Sequence, residues 1–298
     1  MRRIHADLML LGCAAIWGFA FLFQKSAMAH MGPFLFIACR GLVASLALAP
    51  LVYVEHRSSQ GWPPRGIASA ALLAGLAFFG GAALQQFGLI TATVTNTGFL
   101  TALYVVITPF IAWALMHRRP GALVWVAAAL SFAGTWLLGG GSVSAFSRGD
   151  ILVAICAFFW AIHVVILGKA SGLGRPVLLT ALQFVVVSLL AWAAAFAFET
   201  VSLSAIETAA IDIAFVGIMS SAVTFTLFTV ALRYTSPSEA TIIVSMETVF
   251  AAFGAYIFRN EWLTTLGFVG AALILVANLI VQLRGSGTQE PPRQSEKA

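Results

Sequence analysis

The chain aligns with itself when it is shifted by 143 positions. Asp7 then meets Asp150, Cys13 meets Cys156, Trp17 meets Trp160 and Pro33 meets Pro176, all in one gap-free register. Ala14, Ala27, Leu35, Ala38, Val43, Ser45 and Leu46 meet identical residues at Ala157, Ala170, Leu178, Ala181, Val186, Ser188 and Leu189. Matches among Ala and Leu come cheaply in an apolar chain. Those among Trp, Pro, Cys and Asp do not, and they carry the inference that one unit is built twice.

The unit is a set of apolar runs. About 20 apolar residues cross a bilayer as a helix, and such runs stand at 7–29, 33–54, 66–88, 93–116 and 121–141, then at 149–169, 176–198, 208–232, 238–258 and 263–283. The breaks fit: Pro33 and Pro176 open helices, Pro63-Pro64 and Arg118-Arg119-Pro120 sit in loops, and Gly139-Gly140-Gly141 closes the fifth run. Five crossings per unit turn the second copy upside down. The expected fold is an all-α polytopic membrane protein of ten transmembrane helices in two inverted five-helix repeats, 7–141 and 149–283, with a polar, disordered cytoplasmic tail at 285–298. Arg2 and Arg3 before the first run, with Ala27-Met28-Ala29 after it, imitate a cleaved leader. The matched later copy of that run argues that it stays.

Composition agrees. Of 298 residues 60% are hydrophobic and 9% charged, against about 25% charged in soluble domains, and mean hydropathy is +0.97. The pI near 9.5 comes from scattered basic residues, without the cluster that tracks a phosphate backbone, so nucleic acid is not the expected partner. With the N-terminus inside, Arg2, Arg3, Arg57, Arg65, Arg118, Arg119, Lys169, Arg175, Arg233, Arg284, Arg293 and Lys297 fall inside, against Arg148 and Arg259 outside. That asymmetry predicts both termini in the cytoplasm, in the cell membrane (the inner one in a bacterium). Cys13, Cys39 and Cys156 lie in apolar runs and form no disulfide framework. The five histidines have no metal-ligand spacing, and no catalytic or nucleotide-binding motif stands in a supporting context. The expectation is a non-enzyme without cofactor or metal, whose partners are a small-molecule substrate and the bilayer, acting as a monomer with a dimer left open.

Polar groups inside lipid mark function or interhelical bonding. Arg40 lies roughly 10 Å into the second run at 1.5 Å per residue. It reads as a carboxylate binder through its forked guanidinium or as a structural clamp; the register places neutral Gln183 opposite it. Glu247, the deepest carboxylate, suits a substrate amine, a coupling proton or a packing role. Trp17 and Trp160 fall away from the interfacial belts and either line a cavity or fill the core. His163, three residues past Trp160, either gates or is a satisfied core histidine. Gln85, Gln86, Asn96 and Thr97 flank a short turn with Tyr104 two turns deeper, a polar ladder suited to a small amphipathic solute or to helix–helix hydrogen bonding. Ser220, Ser221, Thr224 and Thr226 favour the latter. Pro109 removes a backbone bond and is a candidate hinge.

Ala14-Ala15-Ile16-Trp17-Gly18, Arg40, Thr97-Gly98-Phe99-Leu100-Thr101 with Thr108-Pro109, and Met246-Glu247-Thr248-Val249-Phe250 followed by Glu261 resemble the drug/metabolite transporter superfamily, specifically its EamA-type ten-helix members. The resemblance spans about residues 7–283. Thr248 stands where members commonly have Pro, which predicts a straighter ninth helix, and Arg118-Arg119 replaces an acidic residue after the fourth. The resemblance implies export of small metabolites, often amino acids; the YddG-type exporters of aromatic amino acids belong to this group. The inverted repeat independently implies secondary transport. The expected function is therefore a secondary transporter exporting small metabolites, amino acids being favoured, by alternating access through a central cavity. A drug-like cation, a nucleotide precursor, or a membrane-embedded enzyme are the alternatives.

Overall fold

The computed structural model describes residues 3–59, 61–117, 119–138, 147–259, 262 and 264–285. Among them, apolar helices follow in the order α1 (Arg3–Ala27), α2 (Pro33–Ser58), α3 (Ile67–Thr91), α4 (Val94–Met116), α5 (Ala122–Leu138), α6 (Arg148–Leu173), α7 (Pro176–Phe198), α8 (Ala210–Ala231), α9 (Pro237–Phe258) and α10 (Thr265–Gly285). Eight are long and apolar enough to cross a membrane; α5 and α10 carry the shorter apolar stretches Ala122–Leu137 and Thr265–Val281. A small helix, Leu203–Thr208, lies between α7 and α8. No strand occurs among the described residues. Gly139-Gly140-Gly141, Glu261 and residues 286–298 lie outside them.

The 143-residue register sets the helix boundaries. α2 and α7 start at Pro33 and Pro176, α3 and α8 at Ile67 and Ala210, α4 and α9 at Val94 and Pro237, α5 and α10 at Ala122 and Thr265. Thr93 and Ser236, also equivalent, cap α4 and α9 by accepting from the backbone N–H of Asn96 at 3.0 Å and of Glu239 at 3.3 Å. Such caps satisfy donors that a helix start leaves free.

Both capped helices are broken. α4 stops at Thr101 and resumes at Tyr104; α9 stops at Val244 and resumes at Glu247. These breaks correct two expectations. Pro109 lies within the unbroken stretch Tyr104–Met116, so the interruption of α4 is not at the proline. α9 is not straighter for having Thr248: it breaks at the position equivalent to the α4 break, without a proline there.

α2 and α7 are equivalent helices that run in opposite directions, each clamping the other's start. A proline at the first helical position leaves the next two N–H groups unpaired, and neither helix carries a side-chain cap of its own. Glu199, just past α7, accepts from the N–H groups of Phe34 and Leu35 at 2.9 and 2.8 Å. Glu55, near the end of α2, accepts from Val177 and Leu178 at 3.0 and 2.9 Å. The receiving pairs, 34–35 and 177–178, are again 143 apart. A carboxylate at a helix N-terminus also meets the positive end of the helix dipole. Between the clamps the helices approach closely: a Cβ on Gly41 would lie 3.1 Å from the Ser188 Cβ, and the Ser188 hydroxyl donates to the Ala38 carbonyl at 3.0 Å.

Elsewhere small residues set the crossings. A Cβ on Gly18 of α1 would come within 2.5 Å of Phe250 and 2.6 Å of the Glu247 carbonyl on α9. Outward-facing side chains such as Leu46, Leu189, Phe196 and Phe258 are exposed, while the polar residues Arg40, Gln85, Gln86, His163, Gln183 and Glu247 are buried. That is the reverse of a soluble protein.

Candidate functional site: a cavity on the repeat axis

The two helix breaks open onto a narrow central cavity of about 60 Å³. α4 contributes Thr101 and Tyr104, and α9 the equivalent Val244 and Glu247. Tyr104 and Glu247 touch: the phenol donates to the carboxylate at 3.1 Å, across a sequence separation of 143. Two equivalent positions can meet only where the axis relating the repeats passes between them. The cavity therefore straddles that axis, and Trp17 and Trp160, another equivalent pair, line it too.

Arg40 enters from α2 and is 3% exposed. Its guanidinium donates to the Ser221 hydroxyl at 3.2 and 2.9 Å and to Gln24 Oε1 at 3.4 Å, and it lies 5.4 Å from the centre of the Phe78 ring. Among the described residues its hydrogen-bond partners are neutral. Gln24 also accepts from Gln86, and Gln85 donates to the Thr101 hydroxyl at 2.9 Å.

Ser221 and Ser220 come from a π-helical stretch of α8, Phe215–Val223. Such a stretch shifts side chains off the α-helical face and recurs at functional sites. The Ser220 carbonyl accepts from Trp17 Nε1 at 2.9 Å. On the second repeat's wall, His163 Nε2 and Gln183 Oε1 stand 2.9 Å apart. Phe78 packs edge-on against Trp160, His163, Phe184 and Phe225, at centroid distances of 5.0 to 5.6 Å.

Of the residues singled out from the sequence, Trp17, Arg40, Gln85, Tyr104, Trp160, His163 and Glu247 line this cavity, and so does Ser220, for which helix–helix bonding was the favoured reading. Asn96 and Pro109 do not. Asn96 donates to Asp150 at 3.2 Å, tying α4 to the start of α6, because at the first turn of α4 it is two turns from the break. Thr97 bonds back to the Thr93 carbonyl at 2.8 Å. Sequence reasoning missed Gln24, Phe21, Phe225 and Phe228, which also line the site. Gln24 was accessible to the rule that found Arg40, a polar group within an apolar run. The phenylalanines were not, being three among 24. Among the described residues, no group of three or more His, Cys, Asp or Glu side chains is placed to hold a metal.

Repeated apolar helices around a largely apolar central cavity, with Arg40 and Glu247 buried in its wall, are the architecture of a polytopic membrane transporter. The chain belongs to the EamA-like transporter family, which matches it twice, over residues 4–140 and 147–283. An uncharacterized transporter of Archaeoglobus fulgidus is 32% identical over 95% of this chain and 88% of its own length. The uncharacterized transporter YwfM of Bacillus subtilis is 23% identical over 92% of this chain and 93% of its own. A solved crystal structure superposes with a TM-score of 0.77 at 15% identity, covering 97% of this chain and all of that one; it shows a shared fold alone.

Proposed function

We propose that the protein is a ten-span secondary transporter, with both termini in the cytoplasm, that exports small metabolites, amino acids foremost, by alternating access. The observation that carries this reading is the contact of Tyr104 with Glu247 at repeat-equivalent positions, 3.1 Å apart in the cavity wall. A site on the axis of an inverted repeat is presented equally to both halves, so that exchanging their conformations moves its opening from one side to the other. The lining supports an amphipathic zwitterion. Arg40 offers a buried cation held only by neutral groups, Glu247 offers a carboxyl, and Phe21, Phe225 and Phe228 supply apolar walls.

The test is counterflow in proteoliposomes preloaded with single amino acids, with and without a pH gradient. Accumulation of labelled amino acid supports the reading. No flux of any common amino acid would remove the substrate assignment, and the same assay then screens organic cations and nucleotide precursors. Glu247→Gln separates coupling from binding: loss of gradient-driven accumulation with counterflow retained assigns the coupling proton to Glu247, and full gradient-driven transport removes it from that role.

A further inference from the structure

The two tryptophans of the cavity occupy equivalent positions but differ in chemistry. Trp17 Nε1 donates to the Ser220 carbonyl at 2.9 Å. Trp160 Nε1 is buried and meets no protein oxygen or nitrogen; the polar group beside it is the weakly accepting Cys156 thiol. One helical turn on, the halves differ again. The first has Ala20, which is fully buried, where the second has His163, equally buried. His163 Nε2 pairs with Gln183 Oε1 at 2.9 Å, while its Nδ1 has no protein partner. With the Gln183 amide oriented so that its oxygen accepts from Nε2–H, Nδ1 is the ring's acceptor, and Gln183 Nε2 is a third buried group without a protein partner.

A buried polar group without a partner costs about 1–3 kcal/mol. The first repeat packs a buried alanine at the equivalent position, outside the cavity lining. The second keeps an unpaired indole N–H and an unpaired imidazole nitrogen on two rings that pack edge to face, with centroids 5.9 Å apart, and both residues line the cavity.

We infer that Trp160 and His163 form a specificity subsite for a neutral group that accepts and donates at once, a hydroxyl or a carboxamide on the transported solute. Such a group accepts from the indole and donates to the imidazole, pairing both orphan atoms. A methyl group of the same size leaves both unpaired, and sites built around hydrogen bonds reject such analogues far more strongly than apolar pockets reject size changes. The inference rests on the amino-acid transport reading and makes it narrower.

The experiment is competition counterflow in proteoliposomes with the near-isosteric pairs threonine and valine, tyrosine and phenylalanine. The wild type is expected to prefer the hydroxylated member by about tenfold. Trp160→Phe and His163→Phe, which keep an aromatic wall, are each expected to bring the ratio close to one. Trp17→Phe, whose indole is paired within the protein, lowers flux of both members without changing the ratio. Flux of both members with a wild-type ratio near one overturns this inference and leaves the transport reading standing, whatever the variants do. A preference that survives in both Phe variants also overturns it. No flux of any amino acid overturns the transport reading and this inference together.

Discussion

The two repeats share a register and divide the labour. The first supplies the cation and the amides: Arg40, Gln24 and Gln85 line the cavity, while the equivalent positions hold Gln183, Leu167 and Phe228. The second supplies the carboxyl of Glu247 and the imidazole of His163, where the first has Tyr104 and Ala20. The helices that frame the site differ as well. α8 carries a nine-residue π-helical stretch, while its equivalent α3 is regular α-helix throughout. Backbone scaffolding is duplicated; side chains at the axis are not. Duplicated scaffolding allows two access states related by the pseudo-two-fold axis, and differing side chains give a single solute one orientation at the axis.

Making the halves more alike at the site is expected to have the largest effect. Arg40→Gln copies Gln183 into the first repeat and removes the buried cation. Losing one side of a buried charge-assisted pair costs about 2–5 kcal/mol, so counterflow is expected to fall on the order of 100-fold. Arg40→Lys is expected to recover only part of the flux, because an ammonium lacks the planar fork. Full activity in Arg40→Gln would break the division of roles.

The reciprocal clamps come next, where the halves agree best. Glu55→Ala and Glu199→Ala each strip two backbone donors of their carboxylate and are expected to cost about 1–2 kcal/mol each by the scale of helix caps. Their sites lie at opposite ends of α2, so the double variant is expected to show the sum. Thermal unfolding in detergent checks this. Unequal losses would show that one clamp dominates and that the symmetry there is only formal.

Gly18 and Ala161 are equivalent, and they differ. Gly18→Ala forces a Cβ within 2.5 Å of Phe250 and is expected to destabilise by about 1–3 kcal/mol. The reciprocal Ala161→Gly, which removes only a buried methyl, is expected to cost about 1 kcal/mol. The same melts compare them. Equal losses would remove the claim that the crossing of α1 with α9 requires a glycine at position 18.

Asn96→Ala has the smallest expected effect. It deletes the hydrogen bond to Asp150, worth about 0.6 kcal/mol on the scale of interhelical bonds in membranes, and leaves the apparent KM in counterflow unchanged. A raised KM would return Asn96 to the binding site.

Much of this was legible in the sequence because it follows from periodic rules. The apolar runs gave the helices to within a few residues, and the Trp17–Trp160 and Pro33–Pro176 matches fixed the register. Polar residues within apolar runs pointed to Arg40, Gln85, Tyr104, His163 and Glu247, all now in the cavity wall. What was not legible depends on depth and direction. Asn96 shares the polarity of Gln85 but sits at the capped end of α4, where hydrogen bonding is local. Pro109 carries the usual mark of a kink, yet both breaks fall at equivalent positions that contain no proline. The π-helical stretch of α8 and the unpaired indole of Trp160 are properties of packing, for which the sequence has no periodic signal.

The central claim is that the cavity on the repeat axis opens to each side in turn. Its most direct measurement replaces Ser220 in the cavity wall by cysteine, in a chain whose Cys13, Cys39 and Cys156 are changed to alanine. A membrane-impermeant thiol reagent is then applied to right-side-out and inside-out vesicles, with and without transported amino acid. The account predicts labelling from both faces and slower labelling from each when solute is present. Labelling from one face only, whatever the solute or gradient, would contradict it.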